Sequence, residues 1–182
     1  DCYLLTNSIK SVGGYELITD QREQPDPLNG GNKFFVNHEG KYFDSTVHKG
    51  IYTSEIGFGL GITLSDFNED GWTDLFISND FFERDYLYLN NQGKSFTESL
   101  ESYFGSISMG SMGADAADLN NDLLPDLFVT EMLPREIKHQ RTKTVFESWD
   151  KQKLAQSKGY FNQYSRNVLQ MNAPSGQFVE LG

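Results

Sequence analysis

Two stretches of the chain alternate oxygen-bearing with other residues and then turn abruptly apolar: DFNEDGWTDLFIS at 66–78 and DLNNDLLPDLFVT at 118–130. Asp66, Asn68 and Asp70, like Asp118, Asn120 and Asp122, stand at every second position, and Asp74 or Asp126 then opens a run of strand character. Three further stretches, FFVNHEGKYFDST, YLYLNNQGKSFTES and VLQMNAPSGQFVE, place apolar alternation on either side of a short Asn/Gly turn. That pattern predicts β-hairpins.

These elements repeat in register. Gly61, Asp66, Asn68, Asp70, Asp74, Leu75 and Phe76 recur 52 positions later as Gly113, Asp118, Asn120, Asp122, Asp126, Leu127 and Phe128. Asn37, Gly40, Lys41 and Phe43 sit 53 positions before Asn90, Gly93, Lys94 and Phe96, while Asn172 and Phe178 sit 82 positions after Asn90 and Phe96. The order is a hairpin, then strand, acidic loop, strand and hairpin twice over. Four short antiparallel strands per unit of about 50 residues fit a propeller blade better than a sandwich. The expected fold is therefore all-β, a partial β-propeller of about two and a half four-stranded blades, too few to close a ring that needs at least four. The chain reads as a fragment of a longer propeller or as a partial propeller that pairs with other chains. Residues 30–182 form the propeller part, and 1–29 read as an N-terminal extension or the remnant of a preceding blade.

Between Asp126 and Asn172 lie 46 positions, against 16 between Asp74 and Asn90, so about 30 residues are inserted, roughly 134–166. The insertion holds eight of the fifteen Lys and Arg residues and three acidic ones, a charge of about +5 that leaves −16 for the remainder. Thr144 and Glu147 have capping-box spacing, and Val145, Phe146 and Trp149 line one helical face extending to Leu154, which predicts a short helix. A basic arm folded onto its own acidic propeller is preferred to a contact element for a partner, since opposite charge on the same chain is nearer.

Composition narrows the function. A chain of 182 residues with 14% aromatics can bury a core, and a net charge of −11 opposes the counterion-release binding on which nucleic-acid recognition depends. Nucleic acid is not an expected partner. No apolar run approaches the length that spans a bilayer. Cys2 is the single cysteine and reads as a free thiol, not a lipid-acceptor residue, because Asp1 precedes it without an apolar signal segment.

The acidic loops point to calcium, a hard cation that takes six to eight oxygens from a tight loop. In the first loop the expected ligands are Asp66, Asn68, Asp70 and Asp74 at positions 1, 3, 5 and 9, with the carbonyl of Trp72 at position 7. In the second they are Asp118, Asn120, Asp122, Asp126 and the carbonyl of Leu124. An EF-hand would need Glu at position 12, where Ile77 and Val129 stand in strand-like runs. Leu123 replaces Gly71 at position 6, where a positive φ is expected, so the second site is expected to bind more weakly or to turn slightly differently. Pro125 stiffens that loop. The plainer reading is that Asp and Asn are simply turn residues.

Catalysis has little support. His38, His48 and His139 are isolated, no nucleophile elbow is present, and GFGLG at 57–61 enters an acidic loop and reads as blade packing. Tyr86 and Tyr88 alternate with Leu87 and Leu89 as ordinary hairpin residues, the alternative being a contact surface formed with Phe81 and Phe82.

The pairing of G-x-x-x-x-D-x-N-x-D-G-x-x-D-L with L-Y-x-N-x-G-x-F resembles the FG-GAP or VCBS repeats of integrin-α-type β-propellers. More narrowly, GLGITLSDFNEDGWTDLFISNDFFERDYLYLNNQGKSF and SMGADAADLNNDLLPDLFVTEMLP are similar to bacterial extracellular VCBS-repeat proteins associated with ASPIC/UnbV domains and related to cartilage acidic protein. The resemblance implies a seven-bladed propeller with calcium loops between the first two strands of a blade, and a place outside the cell or on a bacterial surface, with lipid anchoring of a longer chain left open. The expected role is a binding or scaffolding module for a protein or surface glycan. The alternative is a fragment of a secreted propeller enzyme, a hydrolase or lyase, whose catalytic residues lie outside this chain.

Overall fold

The computed structural model describes residues 1–7, 31–54, 56–80, 83–143 and 149–181. Three antiparallel sheets lie side by side. The first is built of β1 (Cys2–Leu4), β2 (Lys33–His38) and β3 (Lys41–Asp44), in that order. The second runs β4 (Gly59–Ser65), β5 (Asp74–Asn79), β6 (Tyr86–Asn90) and β7 (Phe96–Glu98), each strand beside its sequence neighbour. It is followed by a single turn of helix, α1 (Leu100–Tyr103), and by β8 (Ile107–Ser108).

The third sheet repeats the second with β9 (Gly113–Ala117), β10 (Asp126–Thr130), β12 (Val168–Met171) and β13 (Val179–Glu180). Its insertion carries α2 (Ile137–Lys143), α3 (Trp149–Ser157) and β11 (Gln163–Tyr164), which pairs in parallel with β8. The molecule is an all-β partial propeller with short helices, as the repeats predict.

Two cores separate the three sheets. Phe34 and Ile51, from the first sheet and the segment after it, pack on Leu75, Ile77, Tyr86 and Tyr88 of the second. On the other side Phe76 and Leu87 meet Leu127, Val129 and Val168 of the third, with Phe67, Leu100, Phe104 and Phe178 filling the space. The two-residue period of a strand sends Leu75 and Ile77 one way and Phe76 the other, so β5 is buried on both faces along its whole length. A central strand of that kind reads as a continuous apolar run, and each large side chain removed from water contributes about 1.5–3 kcal/mol.

The innermost strands of the two repeated sheets approach closely. A Cβ on Gly61 would stand 3.4 Å from the Gly113 Cα, and the Thr63 hydroxyl donates to the Ala114 carbonyl at 2.8 Å. The glycine-rich run before the first loop thus packs one sheet against the next.

Several expectations are refined. The first residues of the stretch read as an extension form β1, which pairs with β2 over Cys2–Leu4 and adds a third strand to the first sheet. Tyr86 and Tyr88 are fully buried and are core residues, not a contact surface, while Phe81 and Phe82 lie outside the described residues. Of the expected helical face, Thr144, Val145, Phe146 and Glu147 also lie outside them. Trp149 is exposed with the Lys153 ammonium 4.9 Å from its ring centre, and Leu154 is exposed as well. Neither Trp149 nor Leu154 is packed into a core. Ala155 of α3 packs against the buried Ile56 and Tyr160.

Candidate metal centre

Each acidic loop joins the first two strands of its sheet, β4 to β5 and β9 to β10. In the first, the Asp66 carboxylate accepts the amides of Asp70 at 3.0 Å and Gly71 at 2.8 Å, closing the loop on its own first residue. The Asn68 Oδ1 also accepts the Asp70 amide, at 3.1 Å, and the Asp70 Oδ1 accepts the Trp72 amide at 2.9 Å. Asn68 Nδ2 donates to the other Asp70 oxygen at 3.0 Å. These short polar side chains satisfy backbone donors that no ladder reaches, which is why Asp and Asn alternate here.

The second loop reproduces the first bond for bond. Asp118 accepts the amides of Asp122 and Leu123 at 3.1 and 3.0 Å, Asn120 accepts that of Asp122 at 3.0 Å, and Asp122 accepts that of Leu124 at 2.9 Å. Asn120 Nδ2 donates to Asp122 at 2.9 Å. Leu123 adopts φ 74° where Gly71 has φ 86°, so the turn is kept despite the side chain. Of the two expectations for this position, a different turn is not what the chain adopts. The left-handed conformation is held by a leucine at a cost of roughly 1–2 kcal/mol.

Asp74 and Asp126, fully buried, tie each loop to its sheet. Asp74 accepts the Phe67 amide at 2.9 Å with one oxygen and the Asn90 amide at 2.8 Å with the other. Asp126 does the same with Leu119 and Asn172, both at 2.9 Å. Burial pushes the Asp74 carboxyl up to about 6, against the lowering effect of the Asn90 and Phe67 amides, and the charges of Asp70 and Asp66 raise it further. Asn172 Nδ2 also reaches the Phe67 carbonyl at 3.1 Å, a bond from the third sheet to the loop of the second. Sequence reasoning noted Asn90 and Asn172 only as hairpin positions. They share a place at the hairpin turn of their units, but they stand 16 and 46 positions from Asp74 and Asp126, so no local spacing marks the bond.

The structure therefore brings Asp66, Asn68, Asp70 and Asp74 into one loop and Asp118, Asn120, Asp122 and Asp126 into another, with the backbone of Trp72 and Leu124 at the turn of each. As the chain holds them, their oxygens face backbone amides, and among the described residues no group of three His, Cys, Asp or Glu side chains converges on a common point. The donor set is oxygen only, the kind that suits a hard divalent cation. Among the described residues no Lys, Arg or His pairs with these carboxylates. A cation would offset their mutual repulsion and hold Asp74 ionised.

A second polar system, missed by the sequence reading, lies beyond the opposite end of β5. Asp85 is buried and accepts the Asn79 amide at 2.8 Å and the Ser111 hydroxyl at 2.7 Å. Burial pushes its carboxyl up to about 7, with Glu83 adding to the rise. Arg84 forms ion pairs with Glu98, at 2.5 Å, and with Glu101.

Comparison with known proteins agrees with the geometry. Residues 66–129 match the family of the FG-GAP-like repeat. Human integrin alpha-7 is 38% identical over 88 residues, and the rat and mouse integrins alpha-7 are each 36% identical over 88 residues. In each case 40% of this chain is covered and 7% of the relative, so the match spans a small part of those proteins. The segment from Asp66 to Val129 thus resembles an FG-GAP-like repeat and lies within a partial β-propeller.

Proposed function

We propose that this chain is part of an extracellular, protein-binding propeller, non-enzymatic, whose two acidic loops each hold a calcium ion. The observation that carries the reading is the bond-for-bond repetition of the loops: two sequences that differ at positions 2, 4, 6, 7 and 8 keep the same oxygens in the same places. Asp66, Asn68, Asp70, Asp74 and the Trp72 carbonyl would hold one ion, and Asp118, Asn120, Asp122, Asp126 and the Leu124 carbonyl the other. Bound calcium supplies positive charge that offsets three clustered carboxylates per loop. The chain's own residues do the rest: Asp74 and Asp126 fasten the loops to the hairpins of β6 and β12. Calcium is plentiful outside cells, where loops of modest affinity stay loaded. The second site is the weaker, because Leu123 strains its turn. The narrower kinship with bacterial ASPIC/UnbV-associated repeat proteins and cartilage acidic protein belongs to the same proposal, as does a surface glycan as the alternative partner.

Calorimetric titration of calcium into the metal-stripped chain, with melting in the presence and absence of chelator, tests the metal part. Binding of two ions with a higher melting temperature is expected. No binding heat, or melting indifferent to chelator, would reduce the loops to turns.

A further inference from the structure

The two loops bound a cleft of about 710 Å³. It is lined from β9 and the second loop by Ala116, Ala117, Asp118 and Leu123, and from the first loop by Asp66 and Glu69. β4 and β9 run close together at Gly61 and Gly113, and the two loops that follow them line the cleft. Leu123 is 86% exposed, and Leu64, one residue before the cleft, is 60% exposed. A leucine that is both solvent-exposed and held at positive φ gains nothing for the fold of the loop, since glycine at the same place in the first loop makes the same turn.

Charge selects the occupant. The stretches 66–74 and 118–126 contain seven acidic residues and no basic one, a charge of −7 that two bound divalent cations would reduce only to −3. Glu69 is not among the expected ligands, so its charge stays available whether or not metal is bound. We infer that this cleft docks a cationic, amphipathic segment of a partner protein, an aliphatic side chain seated on Leu123 and a Lys or Arg facing Glu69. The inference deepens the protein-binding reading and rests on it, but not on calcium. Such a segment would gain apolar burial on Leu123 and long-range attraction at the rim, the combination that gives both affinity and a fast encounter.

The test uses the whole chain with a short labelled peptide of leucines and lysines, followed by fluorescence anisotropy with calcium and again with chelator. A lysine-only peptide and a leucine–glutamate peptide serve as controls. Leu123→Gly keeps the turn and should not lower the melting temperature, yet should weaken binding about tenfold or more, the scale of one lost aliphatic contact. Glu69→Lys should weaken it several-fold, with a smaller salt dependence of what remains. Equal binding of the lysine-only peptide, or binding unchanged in both variants, would overturn the proposal by showing attraction to general negative charge. Calcium binding without peptide binding would overturn the cleft alone; peptide binding that depends on Leu123 but persists in chelator, with no calcium heat, would support the cleft and sink the metal reading.

Discussion

Phe76 and Phe128 hold the same place in two repeated strands, yet one is buried to 1% exposure and the other stands 42% exposed. Their cross-strand neighbours differ likewise: Leu87, opposite Phe76, is fully buried, while Leu169, opposite Phe128, is only partly so. The difference is the third sheet, which covers the Phe76 face of the second, whereas the described residues place no sheet over the Phe128 face. Val179 and Leu181 extend that open apolar surface. A repeat therefore encodes its backbone locally, but the worth of each apolar residue depends on the sheet stacked against it.

The sharpest way to break this comparison is truncation of both phenylalanines. Phe76→Ala should cost about 3–5 kcal/mol in denaturant unfolding, and Phe128→Ala less than about 1 kcal/mol, since little packing is lost where solvent already reaches. Equal losses would mean that the two faces are covered alike.

The next effect concerns Asp85, which belongs to the second sheet; the corresponding stretch of the third is occupied by the basic insertion. Its folded-state value of about 7 lies above the value near 4 of an unfolded carboxyl, so the native state binds the extra proton between them. Its contribution is most favourable below about pH 4 and is lost as pH rises through about 7, by on the order of 4 kcal/mol. Asp85→Asn keeps an acceptor for the Asn79 amide and can donate to Ser111, so it should flatten this dependence in melts across pH 4 to 8.

Asp74→Asn and Asp126→Asn sharpen the likeness of the loops. Each replacement leaves one acceptor oxygen for two backbone amides, and each should cost about 2 kcal/mol in chelator, with equal losses expected from the equal bonding. Each should also remove one of two calcium ions from the titration.

The smallest effect is the exchange at position 6. Leu123→Gly should raise stability by about 1 kcal/mol and tighten calcium at the second loop, while Gly71→Leu should do the reverse at the first. If the substitutions leave both loops unchanged, strain does not distinguish them.

Much of the fold was legible because hairpin and loop signals are local: Asn/Gly turns, two-residue alternation and the spaced Asp and Asn side chains act within a dozen residues. The spacing names the Asp and Asn residues of each loop, and the structure places them in one turn with their oxygens on backbone amides. Tyr86 and Tyr88 were read correctly as hairpin residues, but their complete burial could not be read, because alternation does not say how many faces of a strand are covered. The role of Asn90 and Asn172 as amide donors to Asp74 and Asp126 was hidden for a similar reason: it joins positions 16 and 46 residues apart. In the insertion, Trp149 and Leu154 stay exposed, because helical spacing places residues on a face without saying what covers it.

By itself, then, the sequence determined the strands, the turns, the repeat and the oxygen sets of the two loops, because each depends on φ/ψ preference and on hydrogen bonds closed between near neighbours. Only the tertiary structure decided which faces are core, that β1 completes the first sheet, that Asn172 reaches the loop of the preceding sheet, and that the two loops line one cleft. Those features depend on how whole sheets stack, and stacking is set by contacts between residues that no local pattern brings together.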